Sequence, residues 1–134
     1  MILLVDDNAI QATIRRTILE RSGYTTITAL QPSRALEYLQ TEDPSSRIDL
    51  VITDHLMPEM KGSAFSREVR LLCPDMPILV ISGLEEAIEE YADLPNVEFR
   101  VKPLQPERLL ACVRQMVGAP EPPATQSPLA IATA

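Results

Sequence analysis

Four apolar runs end in five polar residues able to do chemistry. Asp6 and Asp7 follow ILLV, Asp54 follows LVIT, Ser82 completes ILVIS, and Lys102 follows FRV. In an open parallel sheet the carboxyl ends of the strands lie along one edge, so residues distant in sequence meet in one crevice. Three carboxylates gathered there repel one another unless a cation neutralises them. Mg2+ suits such a site, because it keeps several of its waters and takes one or two carboxylates together with phosphate oxygens. The set therefore points to phosphoryl transfer, in which positioning and charge neutralisation supply most of the catalysis. Asp54 is the candidate nucleophile, able to form an acyl phosphate. Lys102 can offset charge on the phosphoryl oxygens, and Ser82 can donate a hydrogen bond to one of them.

The elements that must position these residues alternate along the chain, the signature of repeated βα units. Strand candidates are Ile2 to Val5, Thr25 to Ala29, Asp49 to Thr53, Ile78 to Ser82 and Val97 to Val101. The first helix, about Ala9 to Ser22, carries Ile10, Ile14, Thr17 and Ile18 as an apolar stripe that stops at Gly23. The second, about Ser33 to Gln40, shows Ala35, Leu36 and Leu39. The third, about Ser63 to Leu72, starts at Gly62 and Ser63, carries Phe65 and Val69, and has Pro74 beyond its end. Glu85 to Ala92 reads as a short acidic helix, and Pro106 to Val117 opens with a proline suited to a first turn. Short connections and right-handed crossovers leave few topologies. The leading one is a doubly wound α/β fold with a parallel five-stranded sheet of order 2-1-3-4-5, which sets the first and third strands side by side and brings Asp6, Asp7 and Asp54 together.

A chain of 134 residues with 46% hydrophobic content fits one small globular domain. No apolar run reaches the length of about 18 residues that a membrane span requires, and no charged leader with an apolar core opens the chain. A cytoplasmic location with no membrane association is expected. Cys73 and Cys112 form no CxxC or Cys/His cluster and read as buried, reduced thiols. A net charge of −7 argues against nonspecific nucleic-acid binding. Residues 119 to 134 hold four prolines, no aromatic residue and no helical period. The folded unit is thus expected over residues 1 to 118, followed by a flexible tail or linker.

These residues carry a family resemblance. LLVDDN at Leu3 to Asn8, VITDHLMPEMKG at Val51 to Gly62, ISG at Ile81 to Gly83 and VKP at Val101 to Pro103 stand in the order and spacing of one family. Over about residues 1 to 118 the chain resembles the receiver domain of two-component response regulators, of the chemotaxis-regulator kind. The resemblance implies a flavodoxin-like (βα)5 fold and Mg2+-dependent phosphotransfer to Asp54 from a histidine kinase or a histidine phosphotransfer protein. It also implies Asp6, Asp7, Asp54 and the backbone carbonyl of Leu56 as metal ligands, Ser82 and Phe99 as a switch pair, and a cis bond before Pro103. The readout would be the face of the fourth helix, fifth strand and fifth helix, where a downstream protein docks. Such a chain is a signalling phosphoacceptor rather than an enzyme. It is either a single-domain regulator or part of a larger protein such as a hybrid sensor kinase.

Other readings compete residue by residue. Asp6 and Asp7 could merely cap a helix, although two successive acids after ILLV exceed that need. His55, the only histidine, reads as an exposed loop residue without a catalytic role, and Met57, Met60 and Met76 as core or turn fillers. A phosphatase using Asp54 on small substrates would need a general acid where Leu56 stands and a cap that no insertion is long enough to form. A degenerate receiver, binding proteins without phosphorylation, would not need all five key positions filled. Leu56 and Leu84 are expected to flank the phosphoryl group and to hinder an attacking water, which predicts a long-lived acyl phosphate. Glu85, Glu86, Glu89 and Glu90 suit a partner with a basic patch, or simply a solvated helix face.

Overall fold

Five parallel strands, β1 (Ile2–Val5), β2 (Thr26–Ala29), β3 (Leu50–Thr53), β4 (Ile78–Ser82) and β5 (Val97–Val101), stand in the order β2-β1-β3-β4-β5. This computed structural model describes residues 1–41 and 47–120. Among the described residues, α1 (Ala9–Arg21), α2 (Pro32–Leu39), α3 (Gly62–Leu72) and the 3-10 helix η1 (Glu85–Tyr91) lie in the crossovers between successive strands, and α4 (Pro106–Val117) follows β5. The fold is the doubly wound one that the alternation implies, and the flavodoxin-like one that the resemblance implies. The expected tail lies outside the described residues from 121 onward.

Strand pleating divides the core in two, because successive side chains point to opposite faces. Ile2, Leu4, Leu50, Ile52, Leu79 and Ile81 face α1 and α4 through Leu19, Leu109, Cys112 and Val113. Leu3, Val5, Val51, Ile78 and Val80 face α2, α3 and η1 through Ala35, Phe65, Val69 and Tyr91. Every residue of β1, β3 and β4 is buried, as central strands covered on both sides require.

The helices differ from expectation in informative ways. On α1 the stripe of Ile10 and Ile14 points outward, with the two side chains 76% and 56% exposed, while Ala12, Arg15 and Leu19 face the sheet. The phase is set at the start of the helix. The Asn8 side chain caps the amides of Ile10 and Gln11, and Asp6 in turn accepts the Asn8 amide at 2.9 Å. Gly23, with φ of +99°, adopts the left-handed conformation that ends α1 as expected. On α3, Ser63 caps nothing: the N-cap is Lys61, and the Ser63 hydroxyl donates to Glu90 at 2.7 Å. Glu85–Tyr91 winds as a 3-10 helix. Its glutamates recur at the spacing where like charges oppose α-helix formation. Cys112 is buried as expected, but Cys73 at the end of α3 is only half-buried. Burial pushes the Cys73 thiol above its ordinary pKa. Among the described residues no helix is long and apolar enough to cross a membrane.

Candidate functional site

The register of β1 against β3 pairs Val5 with Thr53, so the next residues, Asp6 and Asp54, leave neighbouring strand ends side by side. Both carboxylates are almost fully buried, at 2% and 6% exposure, whereas Asp7 is exposed. Each buried oxygen is met by a donor, as burial of charge demands. Asp54 Oδ1 accepts the His55 backbone N–H at 2.7 Å. Asp54 Oδ2 accepts the Lys102 ammonium at 2.6 Å and the Gln11 amide at 3.3 Å. Asp6 Oδ2 accepts that same amide and the Arg15 guanidinium, the latter at 3.2 Å. Lys102 reaches the site from the end of β5, where its backbone N–H donates to the Ser82 carbonyl at 2.9 Å and its bond to Pro103 is cis.

Ser82, fully buried at the end of β4, accepts the Leu84 backbone N–H at 3.1 Å. Phe99 pairs with Val80 in the β4–β5 register, two places back along the face that carries Ser82, and is partly buried. The Tyr91 ring packs against Phe99 with centroids 5.6 Å apart. Leu56 is 56% exposed and Leu84 partly buried. An open cleft of about 630 Å3 lies beside Asp7, bordered by Leu30, Pro32, Arg34 and Pro58.

His55 is not an exposed loop residue. It is fully buried, its Nδ1 lies 2.7 Å from the Tyr91 hydroxyl, and its Nε2 lies 3.5 Å from a Glu90 carboxylate oxygen. Burial, then the negative charges of Glu90 and Asp54, push the Tyr91 phenol well above its ordinary pKa. A phenol that keeps its proton can either donate to Nδ1 or accept from it, so the pair stays hydrogen-bonded in either imidazole tautomer. The turn between Asp54 and α3 folds back tightly enough to place His55 inside: the Gly62 amide donates to the His55 carbonyl at 2.7 Å. Sequence reasoning missed this contact because His55, Gly62 and Tyr91 meet only in the fold. It also missed Gln11 and Arg15. The spacing of Ala12, Arg15 and Leu19, one helical face interrupted by a cation, was the available signal for Arg15.

A hard cation suits the chemistry of this donor set. The Oδ2 atoms of Asp6 and Asp54 converge on one small donor, the Gln11 amide, and a third carboxylate, Asp7, follows Asp6 in the chain. Among the described residues, no three His, Cys, Asp or Glu side chains are gathered in metal-holding geometry. Asp7 faces outward while Asp6 is engaged by Arg15.

Comparison with known proteins bears on this geometry. The family model of the response regulator receiver domain matches residues 2–114. The alkaline phosphatase synthesis transcriptional regulatory protein PhoP of Bacillus subtilis is 30% identical over 122 residues, covering 90% of this chain and 49% of that protein. The chain spans about half or less of the length of the curated relatives it matches. Among solved structures, chemotaxis protein CheY4 of Vibrio cholerae superposes with a TM-score of 0.76 at 29% identity, covering 86% of this chain and 96% of that one. A response regulator receiver protein of Sinorhizobium medicae superposes at 0.74 with 31% identity, covering 90% and 95%.

Proposed function

The chain belongs to the response regulator receiver domain family of two-component signalling, and from that membership we propose that Asp54 is its phosphoacceptor, loaded in the presence of Mg2+ from a histidine kinase or a histidine phosphotransfer protein. The observation that carries this is the Asp54 carboxylate itself. One oxygen is anchored on the His55 amide at 2.7 Å, and the other is held by the Lys102 ammonium at 2.6 Å on the side facing the strand ends. A nucleophile so oriented, beside a cation that can follow the charge onto the incoming phosphoryl oxygens, has the parts that transfer requires. Asp6, Asp7, Asp54 and the carbonyl of Leu56 are the proposed Mg2+ ligands. When bound, the metal would neutralise phosphoryl oxygens and draw the acid cluster together. Exposed Ile10 and Ile14 on α1 and exposed Leu56, two residues after Asp54, offer apolar contact to the phosphodonor protein.

The readout follows from the same contacts. A phosphoryl group on Asp54 offers acceptor oxygens, and Ser82 gains a charge-assisted hydrogen bond by turning toward them. That movement frees space above β5 into which Phe99 rotates. Tyr91 moves with Phe99 because the rings are packed together, and the face of η1, β5 and α4 changes shape. A downstream protein reads that face; the chain acts as a signalling module in the cytoplasm, without catalytic output and, at a net charge of −7, without direct nucleic-acid contact. It serves either as a regulator by itself or as the receiver of a larger protein such as a hybrid sensor kinase.

Intact mass after incubation with acetyl phosphate tests the acceptor. One phosphoryl adduct is expected on the native chain with Mg2+, and none without Mg2+ or in Asp54→Ala. No adduct under any condition would shift the reading to a module that binds proteins without phosphorylation. The lifetime of the adduct provides a second prediction. Leu56 and Leu84 offer no side-chain hydrogen bond to a hydrolytic water. Leu56→Asn combined with Leu84→Glu is expected to shorten the half-life about tenfold, equivalent to about 1.4 kcal/mol of barrier. A half-life that stays the same or lengthens, followed by loss of the adduct mass, would refute the shielding role.

A further inference from the structure

Arg15 is the one buried arginine or lysine among the described residues. It occupies the inward face of α1 between Ala12 and Leu19, where an apolar side chain would pack without electrostatic cost. Its Nη1 donates to Asp6 Oδ2 at 3.2 Å, and the two side chains are 11% and 2% exposed. The Gln11 amide binds that same oxygen and extends to Asp54 Oδ2 at 3.3 Å. Two neighbours on α1 thus engage the carboxylate oxygens that a cation would seek. Burial draws the Arg15 guanidinium below its ordinary pKa, and the charges of Asp6 and then Asp54 oppose that shift. Removing a guanidinium from water is unfavourable unless a carboxylate meets it closely, so the pair with Asp6 holds Arg15 in place and holds Asp6 to Arg15.

We propose that Arg15, steadied by Gln11, is the resident counter-ion of the acidic site: it competes with the divalent cation for Asp6, so that Mg2+ binds by drawing Asp6 away from the guanidinium. The inference rests on the reading of Asp6, Asp7 and Asp54 as a Mg2+ site. A fixed positive charge beside a metal site lowers its affinity through repulsion and through the ligand it withholds. The arrangement also explains how two buried carboxylates coexist next to each other before any metal arrives.

Calorimetric titration of the full chain with MgCl2 tests this without any phosphoryl donor. Arg15→Met, which keeps the bulk and removes the charge, is expected to bind Mg2+ about tenfold more tightly, equivalent to about 1.4 kcal/mol. Arg15→Lys is expected to stay nearer the native constant. An Arg15→Met chain with native circular dichroism and an unchanged or weaker constant would overturn the proposal. Should that variant not fold, NMR on the native chain decides: rotation of the Arg15 guanidinium about its Cζ–Nε bond is expected to quicken at saturating Mg2+ as the group leaves Asp6, and unaltered rotation would overturn it. Mg2+ binding that ignores Arg15 removes only the counter-ion role, whereas no binding in any chain removes the metal reading together with it.

Discussion

Gly62→Ala is expected to destabilise the domain by about 3 kcal/mol, the upper range for forcing a methyl group into a filled site. A Cβ at this position would stand 2.3 Å from the Asp54 carbonyl oxygen, 2.6 Å from the Tyr91 hydroxyl and 2.9 Å from His55 Cα. Two of those neighbours are backbone. Neither can retreat easily, because the Gly62 amide is itself bonded to the His55 carbonyl at 2.7 Å and Asp54 is held by Lys102. The third, Tyr91, is pinned by His55 at 2.7 Å and packed on Phe99. For a domain of this size the loss corresponds to a fall in Tm of about 10 °C. Thermal unfolding by circular dichroism checks it, and a Tm within about 2 °C of native would mean that the turn relaxes far more readily than its contacts imply. The same displacement should swing the Asp54 carboxylate, so, with Asp54 as the proposed acceptor, the surviving folded protein is expected to accept phosphoryl groups more slowly.

Lys102→Ala is expected to slow formation of the acyl phosphate about 100-fold or more, the usual effect of removing one preorganised group that meets developing charge. The argument is electrostatic. The Lys102 ammonium lies 2.6 Å from Asp54 Oδ2 with its own side chain 30% exposed, so it is screened incompletely and can shift from carboxylate to phosphoryl oxygen over a short path. Alanine leaves the Gln11 amide as the one side-chain donor on that oxygen among the described residues. The measurement is the rate of appearance of the adduct mass with acetyl phosphate at saturating Mg2+. A rate within about threefold of native would assign Lys102 to holding β5 against β4 rather than to charge stabilisation. Taken with Arg15→Met, the variant separates two cations that the fold places on different carboxylates: Lys102 on Asp54 and Arg15 on Asp6.

Much of this protein was legible in its sequence, for a local reason. Short unbroken apolar runs such as ILLV and ILVIS, alternating with longer helical periods, fit strands covered on both faces, and each ends at the residue that the sheet then presents along one edge. Strand order followed from the short connections and the handedness of crossovers. Asp6, Asp54, Ser82 and Lys102 could therefore be placed near one another from their positions after those runs. The glycine stop at Gly23 and the proline start at Pro106 were readable because they depend on backbone geometry at single residues.

Tertiary structure decided what depends on the phase of an element or on a meeting of distant groups. The stripe of Ile10 and Ile14 has helical spacing, yet capping by Asn8 and the pull of Arg15 toward Asp6 turn that stripe to the solvent. Periodicity shows that a face exists but not which face the sheet will take. His55 looked like a loop residue beside Asp54 until the close return of Gly62 carried it inside to Tyr91 and Glu90. Sequence by itself thus determined the sheet and the carboxylates at its edge, since these arise from contiguous apolar runs. Only the folded chain decided which cation each carboxylate holds, because a buried charge takes the partner that three-dimensional packing brings within about 3 Å and not the one nearest in sequence.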